Sequence, residues 1–203
     1  MVAKNLQQKH QRHPGRPRVP ELEQGILEIV LRQLASDGYA RMSIDAVALE
    51  AGVSKPTIYR RWSSKESLAM AAVSQLRIAE PPVPSGSPVR ELTGILENFS
   101  RSLTRPNGMA LVGTVLAEEP HNPELLRLFR ERLVVPRRRM LGEVLDRAKA
   151  RGLLSPKADI EVAVTMMAGA IYGRYLASSS IPAAFAKEVA AIAWRGIARK
   201  RGA

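Results

Sequence analysis

The segment MSIDAVALEAGVSKPTIYRRWSSKESL, residues 42–68, decides the fold, because it predicts two short helices joined by a tight turn and a third helix after them. Apolar side chains recur at helical spacing from Ile44 onward, and Gly52 follows where the chain must stop winding. Ser54 then offers an N-cap. Pro56 falls in the first turn of the second helix, where a missing N–H costs nothing. This spacing predicts a helix-turn-helix.

The outer face of the second predicted helix carries side chains suited to DNA. These are Lys55, Thr57, Arg60 and Arg61, with one edge of Tyr59. Basic and hydroxyl groups donate hydrogen bonds to phosphates and base edges, and a recognition helix presents such groups to the major groove. The segment therefore predicts a surface that binds double-stranded DNA. The alternative interpretation is a helical corner with a solvated basic face.

The same segment resembles the DNA-binding domain of TetR-family transcriptional regulators, in which the pattern AGVSxxTxYxxFxxKExL recurs. The matching positions are Ala51, Gly52, Val53, Ser54, Thr57, Tyr59, Trp62, Lys65, Glu66 and Leu68. Trp62 stands where the family usually has Phe, which exchanges one aromatic core side chain for another. The resemblance implies that the DNA-contacting positions are Ser43, Lys55, Pro56, Thr57, Tyr59, Arg60 and Lys65.

The composition predicts a globular protein with a polyanionic partner. Of the 203 residues, 45% are hydrophobic but only 4% are aromatic, so we expect an aliphatic core with Met as filler. The chain has no Cys, which excludes disulfides and thiolate metal sites and suits a reducing cytoplasm. The formal net charge of +12 favours nucleic acid. No stretch approaches the ~18 apolar residues of a membrane span, so we expect a cytoplasmic protein without a membrane partner.

The N-terminal residues 1–18 predict a flexible basic arm, because they are almost free of apolar side chains. Arg16 and Arg18 lie in the run Pro-Gly-Arg-Pro-Arg, which resembles the core of AT-hook segments. Such arms lie in the narrow minor groove of A·T-rich DNA. A solvated tail that only adds positive charge explains the run equally well, and both interpretations stay open.

The chain as a whole predicts an all-α fold in two parts. Residues 19–80 form the helix-turn-helix domain, which ends in a link helix over 64–79, and a Pro-rich segment at 81–88 follows. Residues 88–203 form a larger helical bundle. Its helices are predicted at 88–104, 107–118, 123–151 with Pro136 inside, 158–178 and 182–200. By resemblance, this second part binds a small molecule and forms the dimer.

Apolar side chains between the helices of residues 88–178 predict a pocket for a small hydrophobic effector. The candidates are Leu96, Phe99, Leu103, Met109, Val112, Leu116, Phe129, Met166 and Tyr172. Each of them fits an ordinary core position equally well, and the sequence does not identify the effector.

The last two predicted helices carry small and apolar residues that favour close helix packing, so we expect the homodimer interface there. The candidates are Val164, Ala168, Ile171, Phe185, Val189, Ile192 and Gly196. The alternative is that both helix faces are used within the core of the monomer.

No combination of residues predicts catalysis or a cofactor. None of the three His lies beside a candidate nucleophile, and there is no Gly-rich phosphate loop. Glu118, Glu119 and His121 have atoms of the kind that bind metals, but a solvated helix end is the simpler interpretation. We expect no enzyme activity, no cofactor and no metal.

A basic run follows Pro136. Successive residues point to different sides of a helix, so Arg137, Arg138 and Arg139 do not predict a second nucleic-acid surface. We expect them to be solvated and paired with Glu131 or Glu143.

These observations predict a homodimeric transcriptional regulator, by resemblance a repressor, that binds an inverted-repeat operator and is released by a small hydrophobic effector. An architectural DNA-binding protein without an effector is one alternative, and a steep salt dependence with little sequence preference would favour it. A helical enzyme or small-molecule-binding protein is another, and it needs a pocket with convergent polar groups.

Overall fold

The computed structural model describes residues 19–78 and 85–199, and the regular elements in these ranges are helices joined by short loops. The helices are α1 Val19–Arg41, α2 Ile44–Glu50, α3 Lys55–Tyr59, α4 Lys65–Ser74, α5 Pro88–Thr104, α6 Gly108–Ala117, α7 Pro123–Phe129, a π-helical turn Arg130–Val134, α8 Val135–Ala150, α9 Ile160–Ser178 and α10 Phe185–Ile197. Apart from one isolated bridge between Leu154 and Ala198, the described residues form no β-structure. The predicted all-α fold is confirmed. The basic arm, with Arg16 and Arg18, lies outside the described residues.

The helix-turn-helix closes around a small aliphatic core. Val30 of α1, Val47 of α2 and Ile58 of α3 are all completely buried. Gly52 adopts a φ of 65°, in the left-handed region that the predicted turn requires, and Val53 N donates to Ala48 O at 3.0 Å. A second Gly, Gly38, has φ 79° and ψ 166°, so α1 departs from helical geometry at this residue.

The N-terminal helices pack directly on the C-terminal ones. α1 contacts α4 and α6, and α4 contacts α7. The predicted link helix is shorter than expected, since α4 ends at Ser74 instead of residue 79. The Arg77 guanidinium explains this end, because it donates to the carbonyl oxygens of Ser74 at 2.6 Å and Leu76 at 2.8 Å, which have no helical partner there.

The C-terminal part is organised around α5, which packs against α6, α8, α9 and α10. A buried carboxylate fixes its start. Glu91 accepts hydrogen bonds from Arg147 Nη2 at 2.6 Å, Ser85 N at 2.9 Å and Gly86 N at 3.1 Å. Burial opposes ionisation of Glu91, but the Arg147 bond and the two amides outweigh it, so its pKa is lowered.

The helix predicted over 123–151 is interrupted by the π-helical turn. Pro136 has no N–H to donate to the carbonyl of Arg132, and its ring would collide with that carbonyl in a regular α-helix. The wider turn resolves the conflict: the N–H of Val135 bonds to Arg130 O, five residues earlier. The chain therefore continues from α7 into α8, but the side chains of α8 point in directions that differ from those of an uninterrupted α-helix.

The two last helices are shorter than predicted. α9 begins at Ile160 because Asp159 caps it, accepting from Val162 N at 3.0 Å. α10 ends at Ile197, after which Arg199 N donates to Leu153 O at 2.7 Å and ties the chain to the loop after α8. In the described part of the chain, no helix combines the length and the apolar character needed to cross a membrane.

Candidate nucleic-acid interface and interdomain cavity

The outward face of α3 carries the side chains that the sequence assigns to DNA. Lys55, Pro56 and Arg60 are exposed, and Tyr59 is 44% exposed, whereas Ile58 between them is completely buried. A single buried side chain thus fixes the rotation of this five-residue helix, and its other residues face away from the core. The structure brings these predicted contact residues together on one surface.

Hydrogen bonds already order several of these groups. The hydroxyls of Ser54 and Thr57 lie 2.9 Å apart, and Arg60 Nη2 donates to Thr57 Oγ1 at 3.3 Å. Lys55 Nζ lies 2.9 Å from the carboxylate of Asp45, and this hydrogen bond raises the pKa of Lys55. The cation of Lys55 is exposed beside α2 and α3, where a phosphate can approach it.

The remaining predicted contact residues lie outside α3, Lys65 at the start of α4 and Ser43 just before α2. Lys65 Nζ donates to Ala40 O at 2.9 Å and sits 4.8 Å from the centroid of the Tyr39 ring. Ser43 is the N-cap residue of α2. These contacts hold the Lys65 ammonium at the first turn of α4, close to the end of α1.

Arg61 does not belong to this surface, although its position on α3 suggested a DNA contact. Its Nε donates to Glu23 of α1 at 2.6 Å and its Nη1 donates to Thr57 O at 3.2 Å. The side chain is only 21% exposed. The sequence pattern missed this role because the partner on α1 is distant in sequence.

A cavity of about 320 Å³ lies between the two parts of the chain, and we call it the interdomain cavity. Leu31, Arg32 and Ala35 of α1 and the segment 76–77 after α4 form one side. The remaining lining comes from α5, α6, the α7–α8 region and α9. Its residues there are Phe99, Ser102, Leu103, Arg105, Pro106, Asn107, Gly108, Leu111, Val112, Phe129, Leu133, Arg137 and Tyr172.

Five of the nine predicted pocket residues line this cavity: Phe99, Leu103, Val112, Phe129 and Tyr172. The other four lie elsewhere. Leu96 is a completely buried core residue and Met109 is partly buried on α6, while Leu116 is 52% and Met166 is 66% exposed. These four positions are not part of the cavity, because the rotation of their helices directs them into the core or towards solvent.

Arg137 is the main difference from the sequence-based expectation, which placed it in solvent. It is only 8% exposed, and its guanidinium carbon lies 3.9 Å from the centroid of the Phe99 ring. Burial lowers the pKa of Arg137 to about 10. Phe129, Leu133 and Arg137 all line the cavity, but the π-helical turn between Phe129 and Val135 changes the helical rotation, so their four-residue spacing did not predict that Arg137 faces inward.

The neighbouring arginines are paired on the surface. Arg138 pairs with Glu161 and donates to Thr165 Oγ1 at 2.9 Å. Arg139 Nε lies 3.6 Å from Glu143 Oε1, as predicted for that pair. Only the first residue of the basic run is therefore turned into the protein.

A second concavity, of about 630 Å³, runs along α9 and α10, and we call it the α9–α10 groove. The predicted interface residues Phe185, Val189, Ile192 and Gly196 line it, together with Val162 and Met166. Val162, Met166, Leu176 and Ile192 are each more than half exposed. The face of α9 differs from the prediction. Val164 and Ile171 are buried in the core and Ala168 lies beside Tyr172 and Arg137, so these three do not face outward with the groove.

The acidic residues near the end of α6 show no metal-binding geometry. Glu119 pairs with Arg130 at 3.2 Å. In residues 19–78 and 85–199, no group of three or more His, Asp or Glu side chains is placed to hold a metal ion.

Comparisons of the sequence give matches along most of the chain. A family model described as "Bacterial regulatory proteins, tetR family" matches residues 26–72, and one described as "Tetracyclin repressor-like, C-terminal domain" matches residues 82–193. An uncharacterised HTH-type transcriptional regulator of Mycobacterium tuberculosis is 34% identical over 146 residues, which cover 71% of this chain and 69% of the relative. One from Bacillus subtilis is 28% identical over 185 residues, or 90% of this chain and 93% of the relative.

Solved structures give the same result for the fold. The crystal structure of a TetR family transcription regulator shares 27% sequence identity and a TM-score of 0.58, covering 87% of this chain and 98% of that one. A transcriptional regulator from Saccharomonospora viridis in complex with choline has a TM-score of 0.69 at 18% identity, covering 89% and 100% of the two chains.

Proposed function

The chain belongs to the TetR family of bacterial transcriptional regulators and has its DNA-binding helix-turn-helix, and from this premise we propose that it is a repressor. It binds a palindromic operator as a homodimer in the cytoplasm. A small molecule in the interdomain cavity lowers its affinity for the operator.

The observation that carries this proposal is the exposed face of α3. Lys55, Tyr59 and Arg60 are exposed and Thr57 is half-buried, on or directly after a helix that a single buried residue, Ile58, holds in place. Lys and Arg bond guanine edges or phosphates, and the Thr methyl group packs on the thymine methyl. The face therefore has the chemistry for direct readout in the major groove.

The α9–α10 groove supports the homodimer. Val162, Met166 and Ile192 expose apolar side chains along this groove, and a second copy related by a two-fold axis would cover them with the same surface. Two α3 helices related by that axis contact half-sites about one helical turn or slightly more apart, which is why we propose a palindromic operator.

The position of the interdomain cavity supports control by an effector. Its lining includes Leu31 and Ala35 of α1 and Leu76 after α4, so a bound molecule touches the DNA-binding domain directly. A relative of the same fold has been solved in complex with choline, which supports a small-molecule site in this architecture. Release requires the effector to prefer the unbound arrangement, by ~1 to 3 kcal/mol for ordinary coupling.

Selection of bound sequences from a random duplex library at near-physiological salt tests the proposal, with the mass of the protein in solution measured alongside. The expected result is one palindromic consensus bound by a dimer. Enrichment of A·T content alone, without a consensus, would reject sequence-specific repression and favour the architectural alternative.

A further inference from the structure

The interdomain cavity is lined by four arginines: Arg32, Arg77, Arg105 and Arg137. Among the described residues that line it there is no Asp or Glu. The rest of the lining is mainly aliphatic and aromatic, so the cavity combines an apolar wall with an excess of positive charge. Such a lining disfavours a cation and favours an anion.

Two of the four cations are accounted for by the protein itself. Arg32 pairs with Glu50 on α2, and Arg77 donates to two backbone carbonyls at the end of α4. Arg105 is exposed to water. Arg137 differs from all three because it is buried and yet, within residues 19–78 and 85–199, forms neither a hydrogen bond nor an ion pair.

The contact with Phe99 compensates only part of the cost of burying this charge. A cation over an aromatic ring gains less than the desolvation of an ion costs. The pKa of Arg137, lowered to about 10 by burial, still leaves the guanidinium charged at neutral pH. A charge-assisted hydrogen bond to an anion in the cavity would supply the missing partner.

We propose that the effector is an amphiphilic organic anion whose carboxylate binds Arg137 while its apolar body packs on Leu103, Val112 and Phe129. The cavity volume of about 320 Å³ lies at the lower end of the range for small-molecule sites, so the anion is of modest size. This inference rests on the proposed function only in assigning the ligand a regulatory role. Binding itself is a property of the cavity.

Calorimetric titration of the full-length protein with three ligands of one chain length tests the charge preference. The probes are decanoate, decan-1-ol and decyltrimethylammonium, with hexanoate and naphthoate to vary the apolar body. Decanoate is expected to bind at least about tenfold more tightly than decan-1-ol, as a charge-assisted pair predicts, and the ammonium compound is expected not to bind.

Two matched variants locate the charge. Arg137→Met removes the buried cation and keeps an apolar side chain of similar length, and Arg139→Met removes an exposed cation on the same helix that does not line the cavity. The Arg137 variant should lose the preference for decanoate over decan-1-ol and should melt at the same or a higher temperature, because it no longer carries the cost of burying an unpaired charge. The Arg139 variant should behave as wild type.

Equal affinity for decanoate and decan-1-ol in the wild-type protein would overturn the inference without any variant. Binding of no carboxylate, or a preference that persists in the Arg137 variant, would also overturn it. The proposed function can fail separately. If anions bind in an Arg137-dependent way but operator affinity does not change, the anion site is confirmed and regulation through it is rejected. If only neutral compounds release the protein from the operator, regulation by an effector is supported and the proposal of an anionic effector is rejected.

Discussion

The side-chain hydroxyl of Thr114 donates a hydrogen bond to the backbone carbonyl of Leu34 at 2.8 Å, and it thereby joins α6 of the C-terminal part to α1 of the DNA-binding domain. Leu34 is completely buried and lies four residues before Gly38, where α1 loses its helical geometry. Leu34 directly precedes Ala35 and Thr114 lies two residues after Val112, and both Ala35 and Val112 line the interdomain cavity. A ligand in the cavity would therefore act beside this bond.

We expect Thr114→Val to weaken the connection between the two parts. The change keeps the shape of the side chain and removes the hydroxyl, so the free energy of unfolding should fall by about 1 kcal/mol. The change in operator affinity on effector binding should also become smaller. Thr104→Val is the matched control, because its hydroxyl bonds to Ser100 O within α5. If effector binding changes operator affinity by the same amount in both variants, the Thr114–Leu34 hydrogen bond does not link the effector site to DNA binding.

A second prediction concerns the tight corner between α5 and α6. A Cβ atom at Gly108 would clash with the backbone carbonyl oxygens of Ser102 and Leu103, the latter at 2.7 Å, and backbone atoms cannot move aside cheaply. Gly108→Ala should destabilise the protein by about 2 kcal/mol or more, measured by denaturant unfolding.

Gly113→Ala is the control for this change. Gly113 is exposed on the same helix and has no atom within 4 Å of the added Cβ position, so the substitution should stabilise α6 by about 1 kcal/mol. Similar effects of the two substitutions would contradict the geometry of the corner.

The buried carboxylate of Glu91 predicts a pH dependence. Because its pKa is lowered in the folded protein, the stability it contributes is present above its unfolded pKa and is lost as the pH falls through the folded value. Glu91→Gln should cost about 2 kcal/mol at neutral pH, where Arg147 and two amides lose their ionised partner.

The cost of Glu91→Gln should therefore shrink as unfolding is measured at increasingly acidic pH. Glu143→Gln, at an exposed pair with Arg139, should change stability by less than about 0.5 kcal/mol at any pH. If Glu91→Gln lowers the free energy of unfolding equally at every pH, the shape of the Glu91 side chain, and not its charge, stabilises the protein.

The homodimer is tested at the α9–α10 groove. Ile192 is 61% exposed and lines the groove, so Ile192→Glu should bring an unpaired charge into the interface and raise the dimer dissociation constant by at least about tenfold. Leu116→Glu places the same charge at a 52% exposed position on α6, away from the groove, and should leave the dimer intact. Sedimentation of both variants checks this, and a dimeric Ile192 variant would exclude the groove as the interface.

Local chemistry made the helix-turn-helix predictable. The turn at Gly52 and the position of Pro56 in the first turn of α3 depend on residues that are neighbours in the sequence, and the structure forms both as predicted. The face of α9 was not predictable in this way. Apolar or small residues occur all around this helix. The sequence pattern therefore does not distinguish Val164 and Ile171, which are in the core, from Val162 and Met166, which are exposed.

The candidate effector site depended still less on local pattern. Arg137 is buried because the π-helical turn before Pro136 sets its rotation and because Phe99 of α5 provides a ring for its guanidinium. Neither effect follows from the composition of a basic run. The five correctly predicted lining residues are apolar positions on helices that meet at the cavity, but their neighbours Leu96 and Met109 had the same pattern and lie elsewhere.

The affinity of α3 variants for the operator, with the consensus from the selection as the probe, shows whether the protein reads DNA through α3. Lys55→Ala and Lys149→Ala each remove one positive charge, the first from the face of α3 and the second from an exposed position at the end of α8. The Lys55 variant, still dimeric, should lose about 1–3 kcal/mol of operator binding, whereas the Lys149 variant should bind as wild type. Equal affinity of the two variants for the operator would contradict recognition of DNA through α3.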